Sequence, residues 1–174
     1  MKRTVWLWEL VGFGVTSFFG TLLHFLYEWS GRSVFIAPFS GVNESTWEHM
    51  KLLFWPMLIY AVIQRFFFGG YASFWQIKMR GICLGLGLIP LIFYTYNGVI
   101  GKSPDWVNIT IFFVVAAAVY IYEAVLFGKD YTPINSTRFA IAVISLFALL
   151  FVIFTFKTPS LAIFRDPITG AYGI

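Results

Sequence analysis

Five long apolar stretches run along this chain, divided by shorter segments that carry Gly, Pro, Ser and Asn. A helical span needs about 20 mostly apolar residues, because the hydrocarbon core is roughly 30 Å thick and each residue rises about 1.5 Å. The pattern predicts spans at about 5–28, 44–67, 81–96, 106–127 and 138–156, with room for the third to begin earlier. A β-barrel would alternate apolar and polar positions, whereas residues 112–122 and 139–156 are continuously apolar. The expectation is one all-α membrane domain over residues 1–174, a bundle of five transmembrane helices. No segment repeats another convincingly, so an inverted-repeat transporter is unsupported.

Composition removes the soluble alternatives. Of 174 residues, 59% are hydrophobic and 11% charged, against roughly 45–50% and about 25% in soluble domains. Twenty charged side chains cannot cover a water-soluble globule of this size, which excludes a soluble enzyme or a nucleic-acid binder. The 21 Phe, 7 Trp and 9 Tyr exclude disorder. Lys and Arg then report orientation. Lys2, Arg3, Arg65, Lys78, Arg80, Lys129 and Arg138 fall on the side of the N-terminus, and Arg32, Lys102, Lys157 and Arg165 on the other. Seven against four favours N-terminus inside and C-terminus outside a cytoplasmic membrane. The Met1-Lys2-Arg3 opening has the outline of a signal peptide. Its apolar stretch continues to about Tyr27 without a small-residue cleavage site, so a retained first span is expected. Trp6, Trp8, Trp29, Trp47, Trp75 and Trp106 fall near span ends, as an aromatic belt requires. Cys83 is the single cysteine and can form no intrachain disulfide.

Ionisable groups at membrane depth are expensive unless paired or hydrated, so each marks a candidate site. They form two layers. Glu9 lies about one turn inside the inner boundary, and Glu123 returns to a similar depth on the fourth span. Arg65 or Arg138 is the expected cation for this inner ion-pair layer. At the outer boundary His24 and Glu28 are spaced i, i+4 on the first helix. The second helix starts at the same level with Glu44, Glu48, His49 and Lys51. These six residues are expected to form one polar pocket. Helix capping competes with that reading: Ser45-x-x-Glu48 is a capping box, and Glu44 suits the positive end of the helix dipole. Capping leaves His49, Lys51 and the first-helix pair unexplained.

His24, Glu28, Glu44, Glu48 and His49 are chemically able to hold a divalent metal, since zinc takes imidazole nitrogen and carboxylate oxygen. The spacing lacks the second His of a His-Glu-x-x-His motif, and the Lys51 ammonium would compete for the same carboxylates. Gly81-x-x-x-Gly85 lets the third helix approach a neighbour closely. After the fifth span, residues 157–174 hold only three charges and six large apolar side chains, interrupted by Pro159 and Pro167. An extended, ordered tail is expected, folded over the outer mouth, with Asp166 or Arg165 near the start of the second helix.

The run Ala37-Pro38, then Val42-Asn43-Glu44-Ser45-Thr46-Trp47-Glu48-His49-Met50-Lys51-Leu52-Leu53-Phe54-Trp55-Pro56, resembles a family of small prokaryotic membrane proteins of unknown function. The ending Phe164-Arg165-Asp166-Pro167-Ile168-Thr169-Gly170-Ala171-Tyr172-Gly173 resembles that family's usual close. The resemblance covers the whole chain. It implies a shared membrane fold and supplies no activity.

The leading expectation is a polytopic protein that binds a cation or small polar solute in an outward-facing acidic/His pocket. Transport would use the inner layer as a second station. The second reading is a membrane-embedded, metal-dependent hydrolase of a lipid-like substrate, and the third an accessory subunit without chemistry. The partners expected are the lipid bilayer and a small solute or cation, with no nucleic acid.

Overall fold

Apolar runs with no free water to bond must satisfy every amide internally, and the chain does so with helices. A computed structural model describes residues 2–68, 70–129 and 131–174; Gly69 and Asp130, in two connections, lie outside it. Among the described residues there are five long helices: α1 (Lys2–Trp29), α2 (Thr46–Phe67), α3 (Phe74–Val99), α4 (Asp105–Gly128) and α5 (Thr137–Phe156). All five are long and apolar enough to cross a membrane. The protein is therefore an all-helical, multi-pass membrane protein. The starts of α1, α3 and α5 share one face of the bundle with the ends of α2 and α4. The 30–45 connection, the 100–104 connection and the tail lie at the opposite, tail face.

Helix α1 packs between α2 and α4, and α3 packs against α2, α4 and α5. Small residues permit the close approaches. A Cβ at Gly85 would press into Leu53 and Val119, and one at Gly81 would overlap the Glu123 carboxyl group. Gly12 meets the rings of Tyr60 and Tyr120, and Gly20 meets Phe112 and the Leu52 carbonyl. Helix α5 buries only Ala140, Ile144, Phe151 and Thr155, as its sequence, uncharged beyond Arg138, suggests. Trp47, expected in an aromatic belt, is instead buried against Phe151 and Phe164, each with ring centroids 4.7 Å away. Its ring fills the space that α5 and the tail would otherwise leave open over α2.

The third helix begins at Phe74 rather than at residue 81, which carries Lys78 into the bundle. Its ammonium reaches both Glu9 oxygens at 3.3 Å and Glu123 Oε2 at 2.5 Å. Gln64 Nε2 donates to Glu9 Oε1 at 2.7 Å. All four side chains are at most 2% exposed. So α1, α2, α3 and α4 each contribute one member of a single buried polar knot. The expected partners are elsewhere. Arg65 donates to the Phe68 carbonyl and lies over the Phe74 ring, and Arg138 is exposed at the start of α5. A guanidinium at either position sits at the helix end, where it reaches the bundle rim; Lys78 lies one turn inside, level with the carboxylates. Val5, Phe68, Phe74, Ile77, Ala124 and Phe127 close over the knot as an apolar plug.

Removing one member of a buried ion cluster leaves uncompensated charge, typically at a cost of about 3–5 kcal/mol. We therefore expect Lys78→Met to lower the thermal unfolding midpoint in detergent strongly, and Arg65→Ala to change it little. The reverse order would make Arg65 the stabilising cation.

Candidate functional site

The connection between α1 and α2 is short of regular structure, yet it is bonded closely to both helices. The Ser40 hydroxyl donates to the Leu23 carbonyl and accepts from the Tyr27 amide at 2.9 Å. Those two groups bracket the α1 turn that carries His24, so a loop side chain is inserted where the helix ladder would close. Gly41 N also donates to the Leu23 carbonyl, and Trp55 Nε1 donates to the Pro38 carbonyl at 2.9 Å. Asn43 Oδ1 accepts from Ser45 N, which sets the approach to α2. Ser45 is the N-cap, its hydroxyl accepting from the Glu48 amide.

From that entrance the carboxylates diverge. The Glu48 side chain turns back to accept from Val42 N at 2.9 Å and meets the Lys51 ammonium at 2.6 Å. Lys51 also donates to the Ala37 carbonyl at 2.9 Å and to Thr155 Oγ1 at 3.1 Å. An ammonium has three protons, and all three are used. This buried pair is a staple joining the connection, α2 and α5. Glu48 and Lys51 therefore leave the expected pocket. Glu28 leaves it too: it pairs with exposed Arg32 at 3.0 Å, because α1 is ending there and turns the carboxylate outward.

Three of the six expected residues do converge. Glu44 Oε1 lies 3.6 Å from His24 Nε2, and Glu44 Oε2 lies 3.6 Å from His49 Nε2. One ligand atom from each of His24, Glu44 and His49 falls within 4.8 Å of the others. The His49 Nδ1–H donates to the Ser45 carbonyl at 3.0 Å, since a carbonyl can only accept. That bond fixes a proton on Nδ1, so in the neutral ring the Nε2 lone pair faces Glu44. Separations of 3.6 Å are too long for good hydrogen bonds. Each is near the roughly 3.4 Å ligand–ligand edge of a tetrahedral zinc site, and because the two contacts use different Glu44 oxygens, a single oxygen serving both imidazoles requires a small shift of the carboxylate.

The triad forms the polar end of a cavity of about 330 Å³. Gly20, Thr21 and Phe25 of α1, Leu52 of α2, and Asn108, Ile109, Phe112 and Phe113 of α4 make its walls. Ile168 of the tail completes the lining. Asn108 is held by the Ser103 hydroxyl at 2.8 Å, and Ser103 by Asn97. None of these wall residues was marked by charge in the sequence. The available signal was the stripe Glu9, Gly12, Thr16, Gly20 and His24, spaced by three or four residues on one face of α1.

The tail lies over this face. Its short 3-10 turn (Ala162–Phe164) buries Phe164 against Trp47, and Asn43 Nδ2 donates to the Gly173 carbonyl at 3.0 Å. Gly173 has a φ of +68°, and a Cβ there would overlap the Thr158 hydroxyl. Among the described residues, neither Asp166 nor Arg165 has a hydrogen bond or ion pair to α2. The Asp166 carboxylate is occupied by its own turn, accepting from Ile168 N and Thr169 Oγ1.

The geometry makes Ser40 a positioning residue for His24. Ser40→Ala removes a buried hydroxyl from between two backbone groups, a loss of about 1–3 kcal/mol. Amide exchange at Tyr27 should accelerate selectively while the Lys78 knot stays protected. Uniform acceleration over the whole chain would show that Ser40 serves global stability alone.

No curated protein and no solved structure matches this chain. The helical architecture, the Asn43–Lys51 helix entrance and the docked Phe164–Gly173 tail extend over its full length. Residues 2–174 match one family, and the chain belongs to it: the family of unknown function DUF6512.

Proposed function

We propose that the protein binds a divalent transition-metal cation of the zinc type through His24, Glu44 and His49. The observation that carries the reading is the 3.6 Å spacing of both imidazoles about one carboxylate, with the His49 proton held away on the Ser45 carbonyl. Mixed imidazole and carboxylate donors suit zinc and its neighbours rather than calcium or magnesium. Three protein ligands leave a fourth position open, the arrangement of metal sites that take an exogenous ligand. By the distribution of Lys and Arg, the site faces outward from a cytoplasmic membrane.

Binding is preferred to transport because the face between the two ionisable layers is tightly filled. Phe112 packs on Gly20, Tyr60 and Tyr120 pack on Gly12, and the Thr16–Tyr120 bond is the one side-chain link there among the described residues. Binding is preferred to hydrolysis because a metal-bound water needs a free base. Glu44 is used as a ligand, Glu48 is held by Lys51 and Glu28 by Arg32.

Elemental analysis of the purified chain and zinc titration calorimetry test the reading. We expect one zinc per chain. His24→Ala, His49→Ala and Glu44→Gln should each weaken binding at least tenfold, and Glu28→Gln should leave it unchanged. Affinity should fall on acidification, because protons compete for the imidazole lone pairs. Equal binding by the His49→Ala variant would overturn the assignment.

A further inference from the structure

The walls of the cavity are unlike those of a site for a hydrated ion alone. Beside the triad they are lined by Phe25, Leu52, Ile109, Phe112, Phe113 and Ile168, far more apolar surface than three ligands require. Their positions say where the cavity opens. Thr21, Phe25, Ile109 and Phe113 are all exposed on the outside of the bundle. Thr21 and Phe25 lie about 6–12 Å from the end of α1 at 1.5 Å per residue, and Phe113 about 10 Å from Trp106 on α4. Thr21 and Phe113, exposed that far along spanning helices, face acyl chains, while Phe25 and Ile109 lie nearer the head groups. Ile168 meanwhile places the docked tail over the water side. The cavity is thus a cleft between α1 and α4, open sideways to lipid, with its polar end at head-group level.

Charge completes the description of the occupant. A divalent ion held by two neutral imidazoles and one carboxylate keeps one net positive charge and an open position. That position favours an oxyanion over a neutral or cationic group. A volume of about 330 Å³ is within the usual range of small-molecule sites and exceeds the need of one ion with its water.

Resting on the metal reading, we propose that this site binds a membrane lipid with a phosphate head group. A phosphate oxygen takes the open metal position, and an acyl chain lies in the cleft between α1 and α4. The lipid comes from the bilayer through the side of the bundle, between Phe25 and Phe113.

Native mass spectrometry of the zinc-loaded full chain, titrated with phosphatidic acid and separately with inorganic phosphate, tests this. Phe113→Trp and Ile109→Trp add bulk to the exposed wall without touching a metal ligand. We expect one tightly bound phosphatidic acid per chain, weak binding of inorganic phosphate, and at least tenfold weaker lipid binding in one or both Trp variants at unchanged zinc content. His49→Ala should lose zinc and the tight lipid together. Zinc retained with no tight lipid would overturn the lipid proposal and leave the metal reading standing. So would lipid binding equal in the wild type and both Trp variants, or inorganic phosphate binding as tightly as phosphatidic acid. A wild-type chain that takes no zinc would overturn both.

Discussion

The ammonium of Lys78 lies between the carboxylates of Glu9 and Glu123, and the bundle is organised around that contact. In a medium that cannot solvate charge, three ionisable side chains on three helices have one workable arrangement, which is together. Gln64 adds the fourth helix through Glu9. Dispersion between helices in lipid has little directional preference, since lipid tails are as apolar as Leu. A polar knot does have direction: it fixes the depth of α3 relative to α1 and α4 and the rotation that turns Gly81 towards Glu123. The aromatic plug of Phe68, Phe74 and Phe127 then seals it.

At the tail face the same physics separates structure from chemistry. Glu48 and Lys51 saturate one another, the backbone of the connection and Thr155, so their charges are spent on holding α5 and the connection to α2. Glu44, His24 and His49 instead bring one possible ligand atom each within 4.8 Å of the others. The difference is geometric: Lys51 lies three residues beyond Glu48 on the helix, within reach of it, while Glu44 precedes the N-cap and leans away towards α1. The tail contributes by docking Phe164 on Trp47 and extending Ile168 to the cavity.

Continuous hydrophobicity over about 20 residues determined five spans and the all-helical class, because the bilayer imposes helix length and backbone satisfaction regardless of packing. The sequence also marked His24, Glu44 and His49 as polar groups at one depth. It could not separate them from Glu28, Glu48 and Lys51, which have the same depth and residue types. Pairing depends on rotation about each helix axis and on where the 30–45 connection delivers Ser40, Ala37 and Val42. Those contacts join residues 6 to 17 apart, across a connection with no periodic pattern to read. Lys78 was hidden for a related reason: a lysine near a span end has the pattern of a boundary, and only the arrival of Glu9 and Glu123 from two other helices makes its burial possible. Depth is a one-dimensional property that hydrophobic pattern encodes. Which charges meet, and which remain open to a ligand, was decided by the three-dimensional packing of α1, α2, α3 and α4.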